Sequence, residues 1–199
     1  MPTSPRRPAA RPRQGGSRVY VAVPHLRDEA AFLAAARASR RLHGKWVRAP
    51  LTPARYREYV RRFGARAQSD PECATHAGIL VRRREDHALV GVFNLSEIVR
   101  GSFHSAYLGY YAFAPHAGAG YMAEGLALAL AFAFRTLKLH RIGVNVQPAN
   151  VRSRALVEAA GFAQEGYSRR YLRIGGRWRD HVRYALLADD WRARRKARR

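Results

Sequence analysis

The amino-acid sequence predicts an α+β fold, a mixed α/β single domain in which one central sheet carries helices on both faces. Three observations point there. A chain of 199 residues with 47% hydrophobic content can bury one core of ordinary domain size. Its apparent elements run strand, two helices, three strands, helix, strand, helix, two strands. Residues 121–137 are apolar on nearly every face, which marks a helix enclosed by other elements.

The elements follow in order. Residues 18–23 read as a strand, and 26–39 as a helix opened by the acidic pair Asp28-Glu29. Thr52-Pro53 places a side-chain cap before a proline at the first helical position, so a second helix runs to Gly64. Residues 77–83 and 88–95 are apolar runs separated by Arg84-Glu85-Asp86-His87, the pattern of a hairpin. A third strand over 106–113 ends before Pro115, and His116-Ala117-Gly118-Ala119-Gly120 forms a loop ahead of the buried helix. Residues 141–146 are a strand, and 150–160 a helix stopped at Gly161. The runs 162–174 and 178–187 pair as a hairpin about Gly175-Gly176. The folded domain is expected over 18–191, between a disordered basic tail over 1–17 and a basic C-terminal tail over 192–199.

Charge narrows the partners. The net charge is +23, and setting aside five arginines in residues 1–18 and six basic residues in 191–199 still leaves +12. Such a field attracts phosphate-bearing partners, whether a nucleotide cofactor or the RNA of a ribosome. An arginine-rich coding bias, with Lys45, Lys138 and Lys196 the sole lysines, accounts for the same number. The single cysteine, Cys73, cannot form an internal disulfide, which fits a reducing compartment. The longest apolar run, 126–134, is too short to span a bilayer. His104, His116 and His140 have no cysteine or second histidine at ligand spacing, so no metal is expected. The expectation is a cytoplasmic protein, monomeric or homodimeric, with no membrane partner.

Gly118-Ala119-Gly120-Tyr121-Met122-Ala123 stands between a strand and a helix. Glycines there admit a ligand close to the backbone, and the first helical amides lack intrahelical acceptors, so a phosphate is the natural guest. A plain strand-to-helix turn fits the same residues. They also match the dinucleotide pattern G-x-G-x-x-A, which requires an acid about twenty residues on to hold a ribose. No Asp or Glu occurs between Glu124 and Glu158, and most of the chain precedes the loop, so that reading fails.

Three segments together resemble the GNAT superfamily of N-acetyltransferases. They are this loop, Ile142-Gly143-Val144-Asn145-Val146, and the run from Asn150 to Phe162 that reads N-x-x-S-x-x-L-x-E-x-x-G-F. Arg100-Gly101-Ser102-Phe103-His104, Tyr107-Leu108-Gly109-Tyr110, Tyr171-Leu172 and Trp178-Arg179-Asp180-His181-Val182 further resemble the RimJ/RimL-like ribosomal-protein-alanine N-acetyltransferases. The resemblance implies a single GNAT-type domain with a splayed strand pair, and acetyl-CoA as co-substrate. Its diphosphate would rest on amides of Gly118, Ala119, Gly120, Tyr121, Met122 and Ala123. Its pantetheine arm would lie along Tyr111, Ala112 and Phe113, between strands ending near Phe113 and Val146, with Asn150 and Ser153 facing the thiol. The chain departs from the family at four positions. Ala117 stands where the loop often begins with Gln or Arg, Met122 where it often has Gly or Ala, Val157 where many relatives carry a catalytic tyrosine, and Asn145 where some carry a glutamate base.

Those departures shape the chemistry. An α-amine has a pKa of about 7.7–8.0 against about 10.4 for lysine, so neutralising lysine costs roughly 3.5 kcal/mol more. A site lacking a strong base therefore suits an N-terminal amine. Ser153 is the candidate proton donor to the departing thiolate; Glu97, Tyr110 and His104 are candidates to relay the amine proton through water. Asn145 is a candidate to orient water or the acceptor backbone. Each has a plain alternative: helix-start bonding for Ser153, a strand-end acid, a packed tyrosine, a loop histidine, a satisfied amide. Trp178-Arg179-Asp180-His181 reads as hairpin packing, with Asp180 pairing an arginine.

The function expected is acetylation of a protein N-terminus, with a ribosomal protein alanine as acceptor. Ribosome or RNA contact through the basic surface and tails would offset repulsion between two basic proteins. Two other readings stay open. One is a GNAT acting on a small amine such as a polyamine, amino acid or drug. The other is a ribosome- or RNA-binding assembly factor with weak or no acetyltransferase activity.

Overall fold

The computed structural model describes residues 18–44 and 46–197, without the side chain of Ala67; the tail expected over 1–17 lies outside them. Among these residues the strands are β1 (Val19–Ala22), β2 (Ala77–Arg83), β3 (Leu89–Val99), β4 (Ser105–Ala112), β5 (Arg141–Val146), β6 (Ala163–Ile174) and β7 (Arg177–Leu187). They form one sheet in the order β1-β2-β3-β4-β5-β7-β6. Neighbours run antiparallel except β4 with β5, which makes the sheet mixed as the sequence predicts.

The helices are α1 (Glu29–Ala38), α2 (Arg40–His43), α3 (Pro53–Phe63), α4 (Tyr121–Ala131), α5 (Val151–Ala160) and α6 (Ala188–Ala197). Local signals fix several ends. Thr52 accepts from the Arg55 amide at 3.4 Å and Pro53 opens α3. Asn150 accepts from the Ser153 amide at 3.3 Å, and Gly161 closes α5 in the left-handed region. The helix expected from residue 26 begins as a 3-10 turn, Leu26–Asp28, before α1. The long buried helix is regular only to Ala131. Phe132–Thr136 widens into a π turn whose Leu137 amide reaches back to the Phe132 carbonyl at 3.0 Å.

The basic tail expected from residue 192 is instead helical as far as Ala197. Asp189 and Asp190 sit in the first turn of α6 and Arg194, Arg195 and Lys196 in its last, which suits the helix dipole. Trp191 is buried, its ring 5.3 Å from that of Phe134. This packing supplies the order that composition alone does not foretell.

The two faces of the sheet are covered differently. α4, α5 and α6 enclose a largely aliphatic cluster that includes Leu126, Ile142, Val144 and Leu186. α1 and α3 cover β2 to β4 on the other face with an aromatic cluster of Phe32, Tyr56, Tyr59, Tyr111 and Phe113.

Candidate active site

β4 and β5 pair over three residues only. Ser105, Ala106 and Tyr107 lie opposite Arg141, Ile142 and Gly143; beyond them β4 runs on to Ala112 and β5 to Val146 without pairing. The strands part at Tyr107–Gly143. A Cβ on Gly143 would sit 3.0 Å from two carbons of the Tyr107 ring, so glycine lets the aromatic lie across the last paired position.

Main-chain direction decides which groups line the gap. The Phe113 amide donates to the Val90 carbonyl of β3 at 2.9 Å. By strand alternation Phe113 and Tyr111 turn their main-chain polar groups to β3, whereas Ala112, Tyr110 and Leu108 turn theirs to the gap. Of the three positions expected along the cofactor arm, Tyr111 and Phe113 thus face away from it. Ala112 faces it, but its carbonyl accepts from Nε2 of buried His43 at 2.9 Å. Burial lowers the pKa of His43, which keeps the ring neutral at pH 7.

At the wide end of the gap, Gly118 and Gly120 take φ values of 88° and 82°, and Gly120 begins α4 without a side-chain cap. Nothing lies within 4 Å of where a Gly118 Cβ would be. An open loop on a helix start suits a diphosphate. The Ala123 amide, expected to share in that contact, instead donates to the Gly120 carbonyl at 3.0 Å and closes the first turn. Met122 turns inward: a side chain on Gly91 of β3 would collide with its sulfur, so the larger residue is housed without displacing the loop.

Two cations at this mouth escape the sequence reading. The Arg18 guanidinium lies 4.8 Å from the Tyr121 ring centroid and pairs with Glu124 at 2.5 Å, offsetting the acid in the first turn of α4. Arg83, paired with Asp86, lies close enough to the Tyr121 side chain for the two to interact. Arg18 and Glu124 stand 106 residues apart in the chain, and no local pattern connects them.

Toward the fork, α5 brings Ser153 against β4. The hydroxyls of Tyr110 and Ser153 are 2.6 Å apart, and the Tyr110 hydroxyl also lies 3.1 Å from the Ser153 carbonyl. Burial pushes the Tyr110 pKa up to about 12 against the opposing pull of the Ser153 hydrogen bond, so the phenol is protonated at neutral pH. Val157, one turn further along α5, is fully buried and carries no proton. A phenol therefore reaches this point from the strand instead of the helix. Sequence reasoning named Tyr110 and Ser153 separately; their separation of 43 residues hid the pairing.

The other candidates lie apart. Asn145 stands opposite Arg183 and shares a face with Gly143 and Tyr107, because Val144 and Val146 enter the aliphatic cluster on the opposite side. Glu97 is exposed at an irregularity of β3, with φ of 50°, 3.8 Å from Arg62 and 3.9 Å from His76. It is four residues along β3 from Phe93, the partner of Tyr110, on the order of 13 Å. The structure does not bring Glu97 to the hydroxyl pair. His104, at φ of 42°, accepts from the His140 amide through its carbonyl at 2.8 Å. Asp180 accepts from the Tyr167 hydroxyl at 2.5 Å and the Arg170 amide at 2.7 Å, not from a guanidinium as expected. Arg170 itself takes φ of 46°, which turns its amide toward the carboxylate.

Comparison with known proteins adds four findings. The chain is 46% identical over 107 residues to a ribosomal protein uS5-alanine N-acetyltransferase of Escherichia coli (strain K12), covering 54% of this chain and 55% of that protein. It therefore spans about half the length of that curated relative. RimJ of Mycobacterium smegmatis, solved in complex with CoA-disulfide, matches with a TM-score of 0.77 at 26% identity, over 86% of this chain and 83% of that one. A spermidine N-acetyltransferase of Vibrio cholerae, solved with CoA and spermine, shares the fold with a TM-score of 0.72 at 20% identity, over 88% and 99% of the two chains. Residues 18–163, which include the fork, the glycine loop and the hydroxyl pair, match the model of the acetyltransferase (GNAT) domain, and the chain belongs to that family.

Proposed function

We propose that this protein transfers the acetyl group of acetyl-CoA to the N-terminal amine of a protein, a ribosomal protein alanine being the acceptor, in the cytoplasm. The observation that carries the reading is the Tyr110–Ser153 hydroxyl pair, 2.6 Å apart beside a strand gap whose wide end is an amide-rich glycine loop. The loop amides of Gly118 to Met122 hold the diphosphate, and the gap-facing groups of Leu108, Tyr110 and Ala112 line the path of the arm. The co-substrate supplies an activated thioester.

The amine nitrogen bonds to the acetyl carbon, the carbon–sulfur bond breaks, and one amine proton passes to water. Ser153 gives its proton to the departing thiolate and recovers one from Tyr110, which is replenished from solvent. With Asn145 in place of a carboxylate, the acceptor must arrive largely neutral, which an α-amine does near pH 8 and a lysine does not. A polyamine would need free acids. Around the β6–β7 hairpin, Glu165 is paired with Arg141 and Asp180 is bonded to Tyr167 and Arg170. Those pairings favour the protein acceptor over the small amine.

The test is thiol release from acetyl-CoA with a panel of N-terminal peptides, lysine peptides and spermidine. Turnover is expected on peptides with a free N-terminal alanine and to rise with pH through the amine pKa. Turnover confined to spermidine or other small amines would overturn the acceptor. Mass spectrometry of ribosomal protein N-termini from cells with and without the gene then identifies the target.

A further inference from the structure

The face of the fork opposite Ser153 carries a second run of proton-bearing groups. Tyr107 lies across Gly143 at the last paired position, and its hydroxyl is 3.5 Å from that of Tyr171 on β6. The Tyr171 ring stands edge to face with that of His181 on β7, their centroids 6.2 Å apart. Val182 enters the aliphatic cluster with Val146, its partner on β5, so alternation turns His181 to the face that Asn145, Gly143 and Tyr107 share. Three histidines among the described residues are held below the ordinary pKa chiefly by burial, and their bonds separate them. His43 commits Nε2 to the Ala112 carbonyl, and Nε2 of His76 is sealed from solvent near Glu97. His181 instead bonds through Nδ1 to the Arg179 carbonyl at 3.0 Å. A carbonyl can only accept, so Nδ1 carries the proton, and Nε2 keeps a lone pair without a partner among the described residues.

We infer that His181 is the terminal acceptor of the amine proton, which reaches its Nε2 along the Tyr107 and Tyr171 hydroxyls and water. The inference rests on the acetyl transfer proposed above, though not on the kind of amine. As the amine nitrogen bonds to the acetyl carbon, one of its N–H bonds breaks and that proton ends on Nε2. The departing thiolate takes its proton from Ser153 on the other face, and the imidazolium returns to neutral by releasing its proton to solvent. The two transfers therefore run on opposite faces of the sheet and do not compete for one group. Burial outweighs the pull of the Arg179 carbonyl and of Asp180 on the ring, so His181 rests neutral at pH 7. Asp180 is itself bonded to Tyr167 and Arg170. The charged side chains that share the ring's face on β7, Arg179 and Arg183, are cations, and Glu165 on β6 is held by Arg141.

The first measurement needs no acetyl-CoA. In nitrogen NMR of the isotope-labelled full chain, the His181 ring is assigned by the signals lost in His181→Asn. It should be the Nδ1–H tautomer when neutral and titrate below the ordinary value of about 6.5. An Nε2–H tautomer, or titration above about 7, would overturn the assignment. Asparagine keeps an N–H donor for the Arg179 carbonyl and lacks the base. His181→Asn is therefore expected to lower kcat about 100-fold with the KM for acetyl-CoA unchanged. It should also lose the acid limb that the parent's kcat shows below about pH 6.5. Unchanged kcat, or a fall with the acid limb kept, would count against the role. Tyr171→Phe leaves the imidazole in place and should lower kcat about tenfold with the limb retained. If His181→Asn fails to fold, Tyr171→Phe carries the test, and unchanged kcat in it would sink the relay. Parent turnover confined to spermidine would overturn the protein acceptor, and His181→Asn is then read on spermidine, so the two readings fail separately.

Discussion

Tyr110 and Tyr111 are neighbours on β4 that face opposite sides of the sheet, and their surroundings differ completely. Tyr110 enters the face covered by α4 and α5, where its hydroxyl meets Ser153 at 2.6 Å beside the strand gap. Tyr111 enters the aromatic cluster under α1 and α3, where its buried hydroxyl has no hydrogen-bond partner among the described residues. Burial raises the pKa of both phenols. A raised pKa therefore does not by itself mark a functional group here. What separates the two is a second hydroxyl within hydrogen-bond distance and a position where β4 no longer pairs with β5.

The comparison is broken most directly at the hydroxyl pair. Ser153→Ala is expected to lower kcat about 100-fold with little change in KM for acetyl-CoA, the signature of a proton donor engaged in the transition state. Tyr110→Phe should fall in the same direction by less, since Ser153 keeps its own proton. Steady-state kinetics on an N-terminal peptide decide it; unchanged kcat in both variants would leave the pair a packing contact.

A smaller effect sharpens the other face. His43 and His76 are held below the ordinary histidine pKa, chiefly by burial. The unfolded chain therefore takes up protons first as pH falls. Stability is fully present above about pH 6.5 and declines below it, toward the lowered folded-state values. Melting measured between pH 7.5 and 5 should shift down by about 2–4 °C for each kcal/mol lost. His43→Gln, which can still donate to the Ala112 carbonyl, should flatten that decline.

The smallest effect is the control. Tyr111→Phe removes a buried hydroxyl without a partner, so turnover should be unchanged and stability equal or higher by about 1 kcal/mol. A loss of activity comparable to Tyr110→Phe would erase the distinction between the faces.

Much of the fold is legible because its signals are local. Thr52-Pro53 both caps and starts α3, Gly161 ends α5, and the apolar runs at Ala77–Arg83 and Arg141–Val146 are strands with the expected bounds. The glycine loop is legible for the same reason: two left-handed positions and a helix start occur within a few residues. Composition misleads where packing overrides it. Residues 192–197 read as a solvated basic tail, yet Trp191 seats them on Phe134.

The sequence by itself therefore determined the order of elements, the mixed sheet and the glycine turn at the start of a buried helix, since each follows from periodicity and turn chemistry within one short window. Only the tertiary structure decided which groups act together. Tyr110 with Ser153, His43 with Ala112, Met122 with Gly91 and Arg135 with Trp191 are pairs joined across 31 to 69 residues of chain. Strand alternation and helix rotation set those meetings, and a shift of one residue in register would send each β4 side chain to the other face.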